Sequence, residues 1–140
     1  MKINLQKKKD SSVHFEAMNT NGDKVEMYNS SAGNQQAASP MELILMGVSG
    51  CSSIDIVHIL EKQNLKVDDL QMEVEGHRNE TVPKVFHRID LLVKIKGDIP
   101  ANKAQRAADL SFEKYCSVSK MLEKSVDIHH KVELNGKLIS

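Results

Sequence analysis

The chain has no tryptophan, and aromatic residues make up only 4% of its 140 positions. Its core must therefore rest on Leu, Ile, Val, Met and Ala. Net charge is also missing: 19 Lys and Arg are cancelled by 19 Asp and Glu. Without a basic excess, bulk charge draws the chain to neither nucleic acid nor an anionic membrane. The apolar stretch Met41–Met46 is far shorter than the ~18 residues that span a bilayer. The start, "MKINLQKKKD", has no apolar core of the kind a secretory signal carries. Together these absences predict a cytoplasmic protein with no nucleic-acid or membrane partner. There is no Gly-rich phosphate loop, no Gly-x-Ser-x-Gly elbow, no Cys-x-x-Cys step and no His pair at zinc-site spacing. The expectation is thus no cofactor and no metal.

What remains is ordinary for a globular domain, with 40% apolar and 27% charged residues. The length suits one domain over residues 1–140. Ile3/Leu5, Val13/Phe15/Ala17 and Val25/Met27 alternate with polar residues, and Asn21-Gly22 marks a hairpin turn. An N-terminal antiparallel meander with one greasy face follows from this pattern. Residues 30–39 have no apolar period and read as a loop. A helix then starts at Ser39-Pro40, with Glu42 at the capping-box position. From Met41 to Leu60 it is apolar or small almost all round, so it is expected to be buried on nearly all sides. Gly47, Gly50, Cys51 and Ile54 share one stripe. Each interior glycine costs roughly 1 kcal/mol relative to Ala, which calls for close approach of another backbone or a ligand.

Further on, Leu70/Met72/Val74 and Val85/His87/Ile89/Leu91/Val93/Ile95 alternate as a long hairpin. A second helix is expected from about Pro100 to Tyr115, with Ala104, Ala107, Ala108, Ser111, Phe112 and Tyr115 inward. A short helix starts near Cys116, and a strand carries Val126, Ile128, His130, Val132 and Leu134 inward. Strands and helices do not alternate, so the class is α+β with antiparallel sheets around a long central buried helix. A helix greasy all round asks for more cover than a chain of this size supplies, and a homodimer answers that need.

Cys51 and Cys116 are the only thiols. Free cysteine is often merely a small buried hydrophobe. Gly50 leaves space beside Cys51, and Cys116 sits at a break between helices, where a following helix start favours a thiolate. His58, seven residues after Cys51, lies on the same side of the helix and is either a base or simply exposed. Glu42 is explained equally well as a capping residue and as a site carboxylate.

"SPMELILMGVSGCSS" at 39–53 with "YCSVSKML" at 115–122 resembles the OsmC/Ohr family of thiol-dependent hydroperoxide reductases, and most closely a branch whose helix starts Ser-Pro-Met-Glu-Leu. The resemblance implies an OsmC-like intertwined homodimer with sites at the subunit interface. It implies that Cys51 attacks a hydroperoxide, that Cys116 resolves the sulfenic acid as a disulfide, and that a dithiol reductant reopens it. Two departures stand out. Members with established peroxidase activity carry an N-terminal Arg beside the thiolate, whereas no Arg precedes Arg78 here. They also place Glu directly after the helix-start Pro, where this chain has Met41; Glu42 is turned about 100° further round the helix. Either a Lys, Arg78 or Arg88 is expected in the vacant place, with Arg88 preferred and its face then turned toward the partner subunit, or peroxidase activity is expected to be weak. The alternative is a protein of the same fold without peroxidase activity, one that binds a small apolar ligand or senses redox state.

Overall fold

A computed structural model describes all residues, Met1–Ser140, as two compact units, Met1–Ile44 and Leu45–Ser140. The first unit is the expected meander. Strands β1 (Ile3–Lys7), β2 (His14–Asn19) and β3 (Lys24–Tyr28) pair antiparallel in that order. Leu5 opposes Ala17 and Ala17 opposes Val25, which builds the greasy face. That face is open: Ile3, Leu5 and Val25 are all exposed. The Asn21-Gly22 turn is locked by Asn19, whose side-chain oxygen accepts from the amides of Asn21 and Asp23. Helix α1 (Pro40–Glu61) begins in this unit on a reciprocal cap. The Glu42 amide donates to Ser39 Oγ at 3.2 Å, and the Ser39 amide donates to Glu42 Oε1 at 3.0 Å.

In the second unit, β4 (Asp69–Arg78) and β5 (Phe86–Lys96) form the long hairpin, and β6 (Asp127–Leu134) and β7 (Lys137–Leu138) complete a four-stranded sheet. Ile89, Leu91, Val93 and Ile95 of β5 are buried in alternation, as their period requires. The expected alternation fails at its start. The pairing slips between His77 and Arg78, so Phe86 turns inward while Val85 and His87 stay exposed. Gly76 makes this possible, since a Cβ there would collide with the Phe86 ring. One pair departs from the antiparallel expectation: β5 and β6 run parallel. A parallel pair needs a long crossover. That crossover contains α2 (Ala101–Leu110), a π-helical turn at Ser111–Tyr115 and α3 (Ser117–Leu122). Ala104, Ala107, Ala108, Ser111 and Phe112 face inward, but Tyr115, carried round by the π-turn, is exposed.

Helix α1 is not buried on nearly all sides within the chain. Only Val48, Ser52, Ile56 and Leu60 are buried, a single line at four-residue spacing. Met46 and Ile54 remain 53% and 71% exposed. Nothing lies within 4 Å of the positions where Gly47 or Gly50 would carry a Cβ. The close approach that the glycines lead one to expect is therefore not made by this chain. By length and composition α1 passes the test for a membrane-crossing helix, which the short run Met41–Met46 conceals. Core helices pass the same test, and the buried line packs into the second unit, where Ser52 Oγ lies 3.7 Å from Met72 Sδ of β4.

Candidate functional site: a thiol pair with a carboxylate

Four turns of regular α-helix separate Gly47 from the end of α1, and residues four apart lie one above the other on such a helix. This spacing stacks Asp55 on Cys51. Across from them the π-turn ends at Cys116, which serves as the N-cap of α3. The two sulfurs and a carboxylate oxygen of Asp55 all lie within 4.8 Å of one another. Cys51 and Asp55 are half-buried, while Cys116 is fully buried. Ser111, from the first residue of the π-turn, donates to Asp55 Oδ2 at 3.3 Å and to the Ser52 carbonyl at 3.4 Å, tying the crossover to α1. A π-turn shifts the side chains that follow it relative to an α-helix; here it turns Tyr115 out to solvent and leaves Cys116 buried.

The Ser119 amide donates to Cys116 Sγ at 3.4 Å, as expected of a residue that caps a helix start. That contact favours the thiolate, but burial opposes it more strongly, and the nearby Cys51 adds to the opposition. The Cys116 thiol is pushed up from its ordinary value, contrary to the thiolate expectation. Both sulfurs are free. A disulfide requires a sulfur separation of about 2.05 Å, so the two sulfurs must draw closer to form one.

Within the chain, no Lys, Arg or His donates a hydrogen bond to either sulfur or to Asp55. Arg88, the preferred candidate, is engaged by Asp90 through Nε at 2.9 Å and Nη2 at 2.8 Å. That pairing, with His77 on the other side, holds the Asp90 carboxyl down to about 2. Arg78 donates instead to the Lys84 carbonyl. Sequence alternation correctly put Arg88 on the face opposite Ile89, and the acid it meets there comes from its own strand. His58 is exposed on α1. Glu42 serves as the capping residue: Gln35 Nε2 and the Ser39 amide both donate to its Oε1, and these bonds lower its carboxyl from the usual range. The reading from sequence missed Asp55. Its signal in the sequence is the four-residue step from Cys51, next to the glycine stripe that ends at Ile54.

Residues 33–131 match the family model described as OsmC-like protein, and the chain belongs to that family. It is 45% identical over 100 residues to Protein YhfA of Escherichia coli (strain K12), a match covering 71% of this chain and 75% of that one. A crystal structure of a hypothetical protein from Aquifex aeolicus VF5 superposes with a TM-score of 0.82 at 28% identity, covering 96% of both chains. The organic hydroperoxide resistance protein OhrB of Bacillus subtilis superposes with a TM-score of 0.64 at 18% identity, covering 95% of this chain and 98% of that one. At that identity the likeness to OhrB is one of fold.

Proposed function

We propose that the chain is a cytoplasmic, homodimeric, thiol-dependent hydroperoxide reductase in which Cys51 is the peroxidatic and Cys116 the resolving residue. The observation that carries this reading is the unequal pair: two sulfurs within 4.8 Å, one half-buried and one fully buried. The half-buried sulfur meets the substrate and the buried one waits behind it. In the first step the Cys51 thiolate attacks the distal oxygen of R–O–O–H. The O–O bond breaks, Cys51 becomes a sulfenic acid, and the alkoxide leaves as an alcohol after taking a proton. In the second step the Cys116 sulfur attacks the sulfenic sulfur, a disulfide forms and water leaves. A dithiol then reopens the disulfide by exchange. Membership of the OsmC-like family, some of whose members are hydroperoxide resistance proteins, supports the same chemistry.

Homodimerisation is supported by the bare side of α1. Above Gly50 and Ile54 lies a shallow groove of about 680 Å³, bordered by Met46, Val57, Leu70 and Met72. A second copy is the occupant that would bury it. The test is consumption of an organic hydroperoxide by the reduced protein with a dithiol present. Turnover that vanishes in Cys51→Ser supports the assignment; turnover that survives in that variant contradicts it. A second reading is favoured by one specific observation, the carboxylate of Asp55 standing where a cation would activate the thiol. In that reading the pair senses redox state without rapid turnover, and a single slow oxidation per chain would be its signature.

A further inference from the structure

The sequence shows no metal signature because its donors come from two distant segments. Folding brings them together. Cys51 and Asp55 lie one turn apart on α1, and Cys116 reaches them from the N-cap of α3, with all three donor atoms within 4.8 Å of one another. Two sulfurs and one carboxylate oxygen form a borderline-soft donor set that suits Zn(II) better than Mg(II) or Ca(II). Tetrahedral zinc, at about 2.3 Å from sulfur and 2.0 Å from oxygen, holds its ligands slightly less than 4 Å apart. The observed limit of 4.8 Å exceeds that spacing by only about 1 Å. The outer contacts are also in place. Ser111 Oγ donates to Asp55 Oδ2 at 3.3 Å, and the Ser119 amide donates to Cys116 Sγ at 3.4 Å. Such partners orient metal ligands. Deprotonated, the three donors carry three negative charges, and no Lys, Arg or His pairs with them: Arg88 is taken by Asp90 and Arg78 by the Lys84 carbonyl. Cys51 and Asp55 are half-buried, so an ion has access from solvent.

We propose that the reduced protein binds one Zn(II) per chain through Cys51, Asp55 and Cys116, with the fourth coordination position open to water. The site exists only while both thiols are reduced. A hydroperoxide that takes two electrons from the two bound sulfurs, together with two protons from solvent, yields the disulfide, an alcohol and water, and sets the ion free. This release step rests on the reductase reading above, whereas binding itself does not.

The experiment is a titration of the reduced, metal-stripped full chain with Zn(II) in competition with a chromophoric chelator, repeated with Co(II) to record the thiolate-to-metal charge-transfer band. The expected result is one ion per chain and a charge-transfer band in the wild type. Asp55→Asn, which keeps the shape of the side chain, should weaken binding at least tenfold. Ser111→Ala, which leaves all three donors in place, should weaken it about tenfold, at the low end of the range for outer-shell partners. Circular dichroism confirms that each variant is folded. The disulfide form should bind no ion. Substoichiometric binding, unchanged affinity in Asp55→Asn, or equal affinity in the disulfide form overturns the site. Hydroperoxide consumption by the metal-free wild type separates the two readings. Zinc binding without consumption supports the metal site and removes the reductase; consumption without zinc binding removes the metal site and leaves the reductase.

Discussion

Ile54→Lys should dissolve the proposed dimer while leaving the fold of the chain intact. Ile54 lies on the bare side of α1 and is 71% exposed within one chain. Burying an Ile side chain completely is worth up to about 3 kcal/mol, so about 2 kcal/mol of that remains to be gained by a partner. In a two-fold interface each contact occurs twice, giving about 4 kcal/mol per dimer. At 1.4 kcal/mol per decade this corresponds to a dissociation constant raised by about 10²–10³, before any cost of burying the new ammonium. Lysine is a good helix former, so α1 itself should tolerate the change. Sedimentation velocity across a micromolar concentration series reads the shift directly. A variant that dimerises as tightly as the wild type, or a wild type that is monomeric throughout, would refute the inference that this side of α1 is the subunit interface.

The glycines on the same side offer a complementary test. Gly47→Ala and Gly50→Ala meet open space within the chain, so each should stabilise an isolated chain by about 1 kcal/mol; thermal melts that fall, together with weaker dimers, would show that a partner backbone packs against them, as the dimer predicts. Ser39→Ala removes the buried half of the capping box and should cost about 1 kcal/mol of stability, read by urea denaturation. Because the Glu42 carboxyl is lowered in the folded chain, chiefly by the Ser39 amide, its contribution is full above the free glutamate value and is lost as the pH falls through the folded one. Glu42→Gln should flatten that acid limb, and a melt series showing the same slope as the wild type would contradict it. Cys116→Ser should retain one round of peroxide reduction and then accumulate sulfenic or higher oxides on Cys51, whereas Cys51→Ser should perform none; mass spectrometry after one equivalent of peroxide distinguishes the two.

Much of this architecture can be read directly from residue patterns. Alternation at Leu70–Val74 and Ile89–Ile95, the Asn-Gly turns and the Ser-Pro-x-Glu start of α1 all specify local structure through short-range physics, and the observed elements follow them closely. The departures are non-local. The parallel pairing of β5 with β6 depends on where the α2–α3 crossover returns the chain, which no period records. The slip that turns Phe86 inward depends on the missing Cβ of Gly76 across the hairpin. The all-round apolarity of α1 was visible, but it could not say which side the chain itself covers. At the site, Cys51 and Cys116 stood out as the only thiols, and family resemblance paired them. Asp55 was obscured because a carboxylate on a greasy helix looks like a solvent-facing residue until the Ser111 hydroxyl and the two sulfurs are found around it. Within the chain Arg88 is held by Asp90, two residues along the same strand, an electrostatic partner that alternation alone does not reveal.

If Cys51 and Cys116 act as one two-electron unit toward hydroperoxides, a single oxidation experiment shows it. Fully reduced, metal-free protein is mixed with one equivalent of an organic hydroperoxide, and intact mass, peptide map and residual peroxide are followed together. The expected result is loss of one peroxide per chain, a mass lower by two hydrogens, and a single cross-linked peptide joining Cys51 to Cys116 within the same chain. Peroxide left unconsumed, or a Cys51 that over-oxidises while Cys116 remains a free thiol, would contradict it.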